Sequence, residues 1–267
     1  MYMKGFGGVF VEFFLIIDSA GGDDPMKLIC LGVNGPFPAA EGATSGYLVT
    51  HKNTRVQLDM GCATLPALTR LMAPEDLTAL LFSHWHFDHT SDVLALSYRL
   101  EGLLARGVKA LDVYAPVDEN SPVRKALLAS PAFRVHDVQP GDSIALGDVQ
   151  VRVGRARHPV PAVMYRLEAD GRSLCYTGDT NEVEGLEDFA RACDLLLVDG
   201  LFPEQLWTAE KPHLSACRAA MLARDAQAGK VIITHLNPAF DPVGLLAEAR
   251  SVRMDAVLAE RFATYDV

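Results

Sequence analysis

Three histidines and one aspartate fall within six residues of this chain, His84-Trp85-His86-Phe87-Asp88-His89. Imidazole and carboxylate together are the usual ligand set for zinc and its divalent neighbours. An extended backbone sends residues i and i+2 to one side, so His84 and His86 can reach a common point. Asp88 and His89 follow at a predicted helix start and can reach a second point close by. The stretch therefore suggests a two-metal site on a loop. The plainer alternative is a set of solvated histidines on a polar turn, and ligand-type side chains this dense are hard to explain that way. Trp85 and Phe87 alternate with the ligands. They are expected to point away from the metals and pack beneath the loop.

Regular elements must hold these groups in place. Residues 79–82 are a short apolar run, read as a buried strand that delivers His84. His158, Asp179 and His235 also fall just after predicted strands, at 149–153, 174–176 and 231–234. Loops at one end of a sheet converge, so these groups can share a site with the histidine stretch. Gly178 frees the backbone just before Asp179.

Elsewhere, residues 47–51 and 55–58 read as a hairpin, and Leu65, Leu68, Leu71 and Met72 as one face of a helix. Thr90 or Ser91 is expected to cap a second helix that Gly107 closes. Strands are predicted at 111–114, 133–138, 163–167, 195–198 and 256–258, with a turn at Ala169-Asp170-Gly171. Helices are predicted at 123–129, 186–193, 214–228 and 241–252, with Ser215 capping the third. Two sets of strands, each passing into strand–helix alternation, predict two sheets covered outside by helices.

The totals are those of a folded domain with a sizeable core: 267 residues, 49% hydrophobic and 22% charged. A net charge of −10 argues against a general nucleic-acid binder, whose footprint is basic. The five cysteines are odd in number and form no C-x-x-C, which suggests reduced, buried thiols in a cytoplasmic protein. Cys62, just after Asp59-Met60-Gly61, is read as a packing residue. Residues 5–17 are apolar apart from Glu12, too short a run to span a membrane. Residues 1–25 are read as an N-terminal extension from an upstream start codon, or else an extra strand or oligomer contact. A single catalytic domain then covers 26–267.

From residue 26 onward the chain resembles the metallo-β-lactamase superfamily, and looks most like its ribonuclease Z and phosphodiesterase branch. The residues that carry this are Leu58-Asp59-Met60-Gly61, the H-x-H-x-D-H at 84–89, His158, Tyr176-Thr177-Gly178-Asp179-Thr180, His213-Leu214-Ser215 and Thr234-His235-Leu236. The resemblance implies an α/β (α+β) fold, a four-layer αββα sandwich, with two divalent ions, zinc first and manganese or iron as alternatives. His84, His86 and His158 would hold the first ion, and Asp88, His89 and His235 the second. Asp179 and a hydroxide would bridge them, and Asp59 would orient the histidine loop from behind. The implied activity is hydrolysis of a phosphodiester in a small or nucleotide substrate. Asp88 and His213 are the expected catalytic groups, His213 as proton donor to the leaving alkoxide or as phosphate clamp.

Two departures from ribonuclease Z bear on this. A carboxylate that supports the catalytic histidine there is replaced here by Tyr176, which leaves His213 without an evident support. The long arm that grips tRNA is replaced by a hairpin within residues 159–178. Arg155 and Arg157 flank His158 and are candidates for holding an anion, with solvated surface arginines as the alternative. Phe202, Pro203 and Trp207 are candidates for a mobile wall of the pocket. The family branch implies a homodimer. The competing functions are a tRNA 3′ endonuclease of the ribonuclease Z type and a mononuclear iron oxidoreductase of the same fold.

Overall fold

The structure, a computed structural model, describes residues 25–267. The extension expected over residues 1–25 lies outside them but for its last residue. Two seven-stranded sheets face each other. The first contains β1 (Lys27–Gly32), β2 (Gly46–His51), β3 (Thr54–Leu58), β4 (Ala79–Leu81), β5 (Leu111–Pro116), β6 (Phe133–Val138) and β14 (Thr264–Asp266). The second contains β7 (Ser143–Leu146), β8 (Val149–Arg155), β9 (Val163–Ala169), β10 (Arg172–Tyr176), β11 (Leu195–Asp199), β12 (Lys230–Thr234) and β13 (Val257–Leu258). The orders are β14-β1-β2-β3-β4-β5-β6 and β13-β12-β11-β10-β9-β8-β7. Each sheet is antiparallel where hairpins build it and parallel where helices connect its strands.

Burial along the strands follows from this order. β8 alternates, with Val149, Val151 and Val153 inward and Gln150 and Arg152 exposed, as a strand covered on one face should. β11 is buried throughout because helices cover its outer face. Between the sheets lies one apolar layer, including Leu28, Val49, Val56 and Leu81 from the first sheet and Val151, Leu167, Leu197 and Ile232 from the second. Outside the first sheet pack α1 (Thr64–Thr69), α3 (Val93–Leu104) and α4 (Pro122–Ala129). Outside the second pack α5 (Leu186–Ala190), α6 (Ala216–Asp225) and α7 (Pro242–Val252). The expected αββα sandwich is therefore the observed fold. No helix among the described residues is long and apolar enough to cross a membrane.

Several local expectations need correction. The helix after the histidine stretch is split into a short α2 (Phe87–Thr90) and α3. Neither Thr90 nor Ser91 caps α3; its N-cap position is Asp92, whose carboxylate accepts the Leu65 amide at 2.8 Å instead. Strands β7 and β14 carry no strong apolar alternation and escape the sequence reading. Cys62 is exposed, unlike the buried Cys30, Cys175 and Cys193, and all five thiols are free. Ser215 does cap α6, accepting the Arg218 amide at 3.0 Å. Asp241 caps α7 through the amides of Val243 and Gly244.

Three fully buried tyrosines cross the inner layer, and each hydroxyl must find a partner there. Tyr47 pairs with the Thr234 hydroxyl at 2.7 Å and Tyr165 donates to the Phe82 carbonyl at 2.8 Å. Tyr176 donates to Asp59 at 2.5 Å. These bonds fix the sheet edge from which the polar loops emerge.

Candidate metal centre

That edge gathers the strand ends β3, β4, β8, β10, β11 and β12, which lead to Asp59, His84, His158, Asp179, Asp199 and His235. Three groups of ligand atoms compact enough to hold a metal ion form there. The first comprises His84, His86, His158 and Asp179, the second Asp88, His89, Asp179 and His235, and the third Asp179, Asp199 and His213. Every one of the seven expected ligands belongs to one of the first two, and Asp179 belongs to all three.

The hydrogen bonds behind the rings set which nitrogen faces inward. Asp59 takes four donors: the Ser83 amide at 2.7 Å, the Ser83 hydroxyl at 2.8 Å, His89 Nδ1 at 2.7 Å and the Tyr176 hydroxyl at 2.5 Å. Because Ser83 spends its proton on Asp59, its oxygen accepts from His84 Nδ1 at 3.0 Å. His158 Nδ1 donates to the Pro212 carbonyl at 3.3 Å, and His235 Nδ1 meets the Ser45 hydroxyl at 3.1 Å. Four rings thus present Nε2 to the interior, oriented by neighbours in the way metal-ligating histidines usually are.

Those inward atoms fit cations. His84 Nε2 and His158 Nε2 each lie 3.0 Å from His86 Nδ1. With both Nε2 atoms bare, at most one proton can lie among the three nitrogens, and a cation satisfies all of them. In the second group Asp88 Oδ2, His89 Nε2 and His235 Nε2 are buried without any hydrogen-bond partner. Orphaned buried atoms are costly, and a metal ion removes the cost.

The electrostatics agree. Burial lowers His84, His86 and His235 below the ordinary histidine range and His158 to about 4, so these rings keep free lone pairs at neutral pH. His89 goes the other way. Burial opposes its charge, but Asp179, Asp88 and Asp59 outweigh burial and raise it. That spot is built to hold positive charge. Asp179 sits low despite its burial, held there by His235, His89 and His213.

His213 completes the site. The ring is buried and stacks on His235 at 4.9 Å, with its centre 5.3 Å from that of His158. Its Nδ1 donates to Asp199 at 2.8 Å, which leaves Nε2 for the open side. Asp199 is fully buried and is itself fixed by the amides of Thr180 at 3.1 Å and Leu201 at 3.2 Å. The expectation that His213 lacks a carboxylate support is therefore corrected: the support comes from the end of β11. Tyr176, the residue expected to stand in place of that support, serves Asp59 instead. Burial pushes the Asp199 carboxyl up to about 6, with the His213 charge limiting the rise. Burial likewise opposes charge on His213, yet Asp199 and Asp179 outweigh it and raise the ring to about 9. Between those values the pair is ionic.

The remaining expectations divide. Trp85 is buried as expected, its indole donating to the Pro116 carbonyl at 2.7 Å. Phe87 is 64% exposed and does not pack beneath the loop, because α2 begins there and turns it outward. Arg157 is occupied by the carbonyls of Glu182 and Ala209, so it is not free for an anion, and Arg155 is exposed. Phe202 stands beside His213 with ring centres 6.0 Å apart and carries the Lys211 ammonium over its face at 5.1 Å. Trp207 is anchored, donating to Asn181 at 3.1 Å beneath the Arg218 guanidinium. Asp199 and Asn181 are the site residues that sequence reasoning missed.

Comparison with known proteins places this geometry. Residues 42–236 match the model of the Beta-lactamase superfamily domain. The chain is 27% identical over 217 residues to the probable metallo-hydrolase YhfI of Bacillus subtilis, covering 79% of this chain and 87% of that protein. The crystal structure of YhfI superposes with a TM-score of 0.86, covering 91% of this chain and 100% of that one. Ribonuclease Z of Methanopyrus kandleri is 26% identical over 274 residues, 89% of this chain and 96% of that protein. Human tRNase Z, short form, shares the fold with a TM-score of 0.72 at 18% identity, over 91% of this chain and 99% of that one.

Proposed function

The chain is a metallo-hydrolase of the Beta-lactamase superfamily, and we propose that it cleaves phosphodiester bonds of a small or nucleotide substrate. The observation that carries this reading is the pair of ligand groups sharing Asp179, with the His213–Asp199 pair alongside. His84, His86, His158 and Asp179 would hold one ion, and Asp88, His89, Asp179 and His235 the other. Two divalent ions there, zinc or manganese, would bring water toward a pKa of about 7 and neutralise a phosphoryl oxygen.

The chain's own residues supply the rest. Asp59 holds His89 by Nδ1 and, through Ser83, holds His84, so both rings are set before any ion arrives. A leaving alkoxide needs a proton at once, and His213 offers one from Nε2. Asp199 keeps the ring in register by Nδ1 and stabilises its charge. A phosphodiester matches these parts: one anionic oxygen to neutralise and one poor leaving group to protonate.

A tRNA 3′ endonuclease is the second reading, favoured by the likeness to ribonuclease Z along most of the chain. Against it, residues 159–178 are taken up by the tight β9–β10 hairpin, with no arm to grip an RNA.

Purified protein is expected to carry about two metal equivalents and to hydrolyse bis-p-nitrophenyl phosphate. Asp179→Ala should lose both properties. Full activity in that variant rules out the shared-ligand assignment, and preference for precursor tRNA over small diesters favours the second reading.

A further inference from the structure

We propose that Asn181 is the positioning residue that sets His213 against the metal cluster. It does so by tying the segment before His213 to the loop that carries Asp179. The inference rests on the phosphodiesterase reading above, and it names how that site aims its proton donor.

Asn181 lies two residues after Asp179 and is fully buried. Its Nδ2 donates to the carbonyls of Lys211 at 2.7 Å and Thr208 at 3.0 Å. Its Oδ1 accepts from the Trp207 indole at 3.1 Å and the Glu182 amide at 2.7 Å. A primary amide has two donors and two acceptor lone pairs, so its capacity is used in full.

The segment it holds, residues 207–212, belongs to no helix or strand. The carbonyls of this segment turn toward the metal loops. Besides the two that Asn181 takes, Ala209 accepts from Arg157, and Pro212 from the ligand His158 at 3.3 Å. On the outer side Arg218 stacks over Trp207 at 3.8 Å and pairs with Glu182 at 2.9 Å and Glu204 at 3.0 Å. Among these ties Asn181 is the buried one that both donates and accepts. His213 follows the segment directly. A displacement of about 1 Å there moves Nε2 off its line to the substrate, and misplacement of that size costs about 10²-fold in rate.

Asn181→Asp is the sharp test. The variant is nearly isosteric and still accepts from Trp207 and Glu182, but it turns an oxygen toward the carbonyls of Thr208 and Lys211. In metal-free wild-type protein, proton NMR should show a downfield Nδ1–H of His213 bonded to Asp199, and this signal should be lost in the variant. In metal-loaded protein the variant should lose about 10²-fold in kcat on diesters with alkoxide leaving groups. With p-nitrophenolate, which leaves without a proton, the loss should stay within about threefold. Metal content should not change, and in a His213→Ala background the substitution should cost nothing more.

Equal losses on both leaving groups, a further loss in the His213→Ala background, a missing metal ion or an unchanged Nδ1–H signal would each overturn the proposal. Should Asn181→Asp not fold, Trp207→Phe removes only the indole donor. It should give a smaller change of the same kind, and wild-type behaviour in it overturns the proposal as well. A wild-type protein that cleaves no diester defeats the phosphodiesterase reading, and the NMR comparison then still decides the role of Asn181.

Discussion

Replacing Asp199 with Asn tests the reading of His213 as the proton donor. The substitution keeps the shape and removes the charge that faces Nδ1 at 2.8 Å. Burial alone would lower His213, and Asp199 is the larger of the two carboxylates that raise it to about 9. Without Asp199 the ring should fall to its ordinary 6.5 or below, a change worth about 3 kcal/mol. NMR titration of the His213 ring in metal-free protein measures this directly. At pH 8 a ring with a pKa of about 9 is roughly nine-tenths protonated and one at 6.5 about one-thirtieth, so the supply of acid falls about 30-fold. Cations bound nearby lower both values together and keep the contrast. The loss in kcat should therefore reach about 30-fold or more on diesters with alkoxide leaving groups and nearly vanish with p-nitrophenolate. The stability consequence has a definite sign. A folded pKa above the unfolded one contributes stability that is fully present below 6.5 and is lost as pH rises through about 9. Denaturant midpoints of metal-free protein should drop across that window in the wild type, and less in Asp199→Asn. A wild-type His213 that titrates near 6.5, or a variant that titrates like the wild type, refutes the reasoning.

Other expectations follow from the same geometry. Gly35→Ala would set a methyl 2.0 Å from the His235 ring, so the second ligand group should open and bound metal fall from about two ions to about one by elemental analysis. Tyr176→Phe removes one of four donors to Asp59. It should cost about 1–3 kcal/mol in denaturant unfolding and weaken metal binding about 10–100-fold in chelator competition. Removing metal with a chelator should lower the melting temperature, because Asp88, His89 and His235 are left with orphaned atoms; an unchanged melting curve contradicts the proposed site.

The fold was legible because strand and helix periods are local. Apolar runs such as Leu195–Asp199 and Lys230–Thr234 announce buried parallel strands, and Ser215 announces the start of α6. The seven residues proposed as ligands were legible for a different reason: their side-chain chemistry is rare in packing, and four of them are neighbours in sequence. Where the reading went wrong, tertiary contacts decide. Phe87 looks like a core residue by alternation, but the alternation ends where α2 begins, one residue earlier than assumed. Asp92 looks like an unremarkable helix-start residue, yet it reaches the Leu65 amide across the sequence.

Asp199, the support of His213, shows how a site residue escapes the sequence and which signal points to it. An aspartate after an apolar strand reads as a polar stop, and its partner His213 is separated by a loop with no periodicity. The decisive fact is sheet order. β10, β11 and β12 are adjacent and parallel, so their C-terminal ends bring Asp179, Asp199 and His235 to one edge side by side. Two of those three ends carry proposed ligands, and the middle end therefore faces the same space. A carboxylate there is buried, and a buried carboxylate stays charged only with a cationic or donating partner. His213 is the cation close enough to serve. Sheet order brings the middle strand's aspartate to that edge, the cost of burying its charge calls for a partner, and His213 at 2.8 Å is that partner.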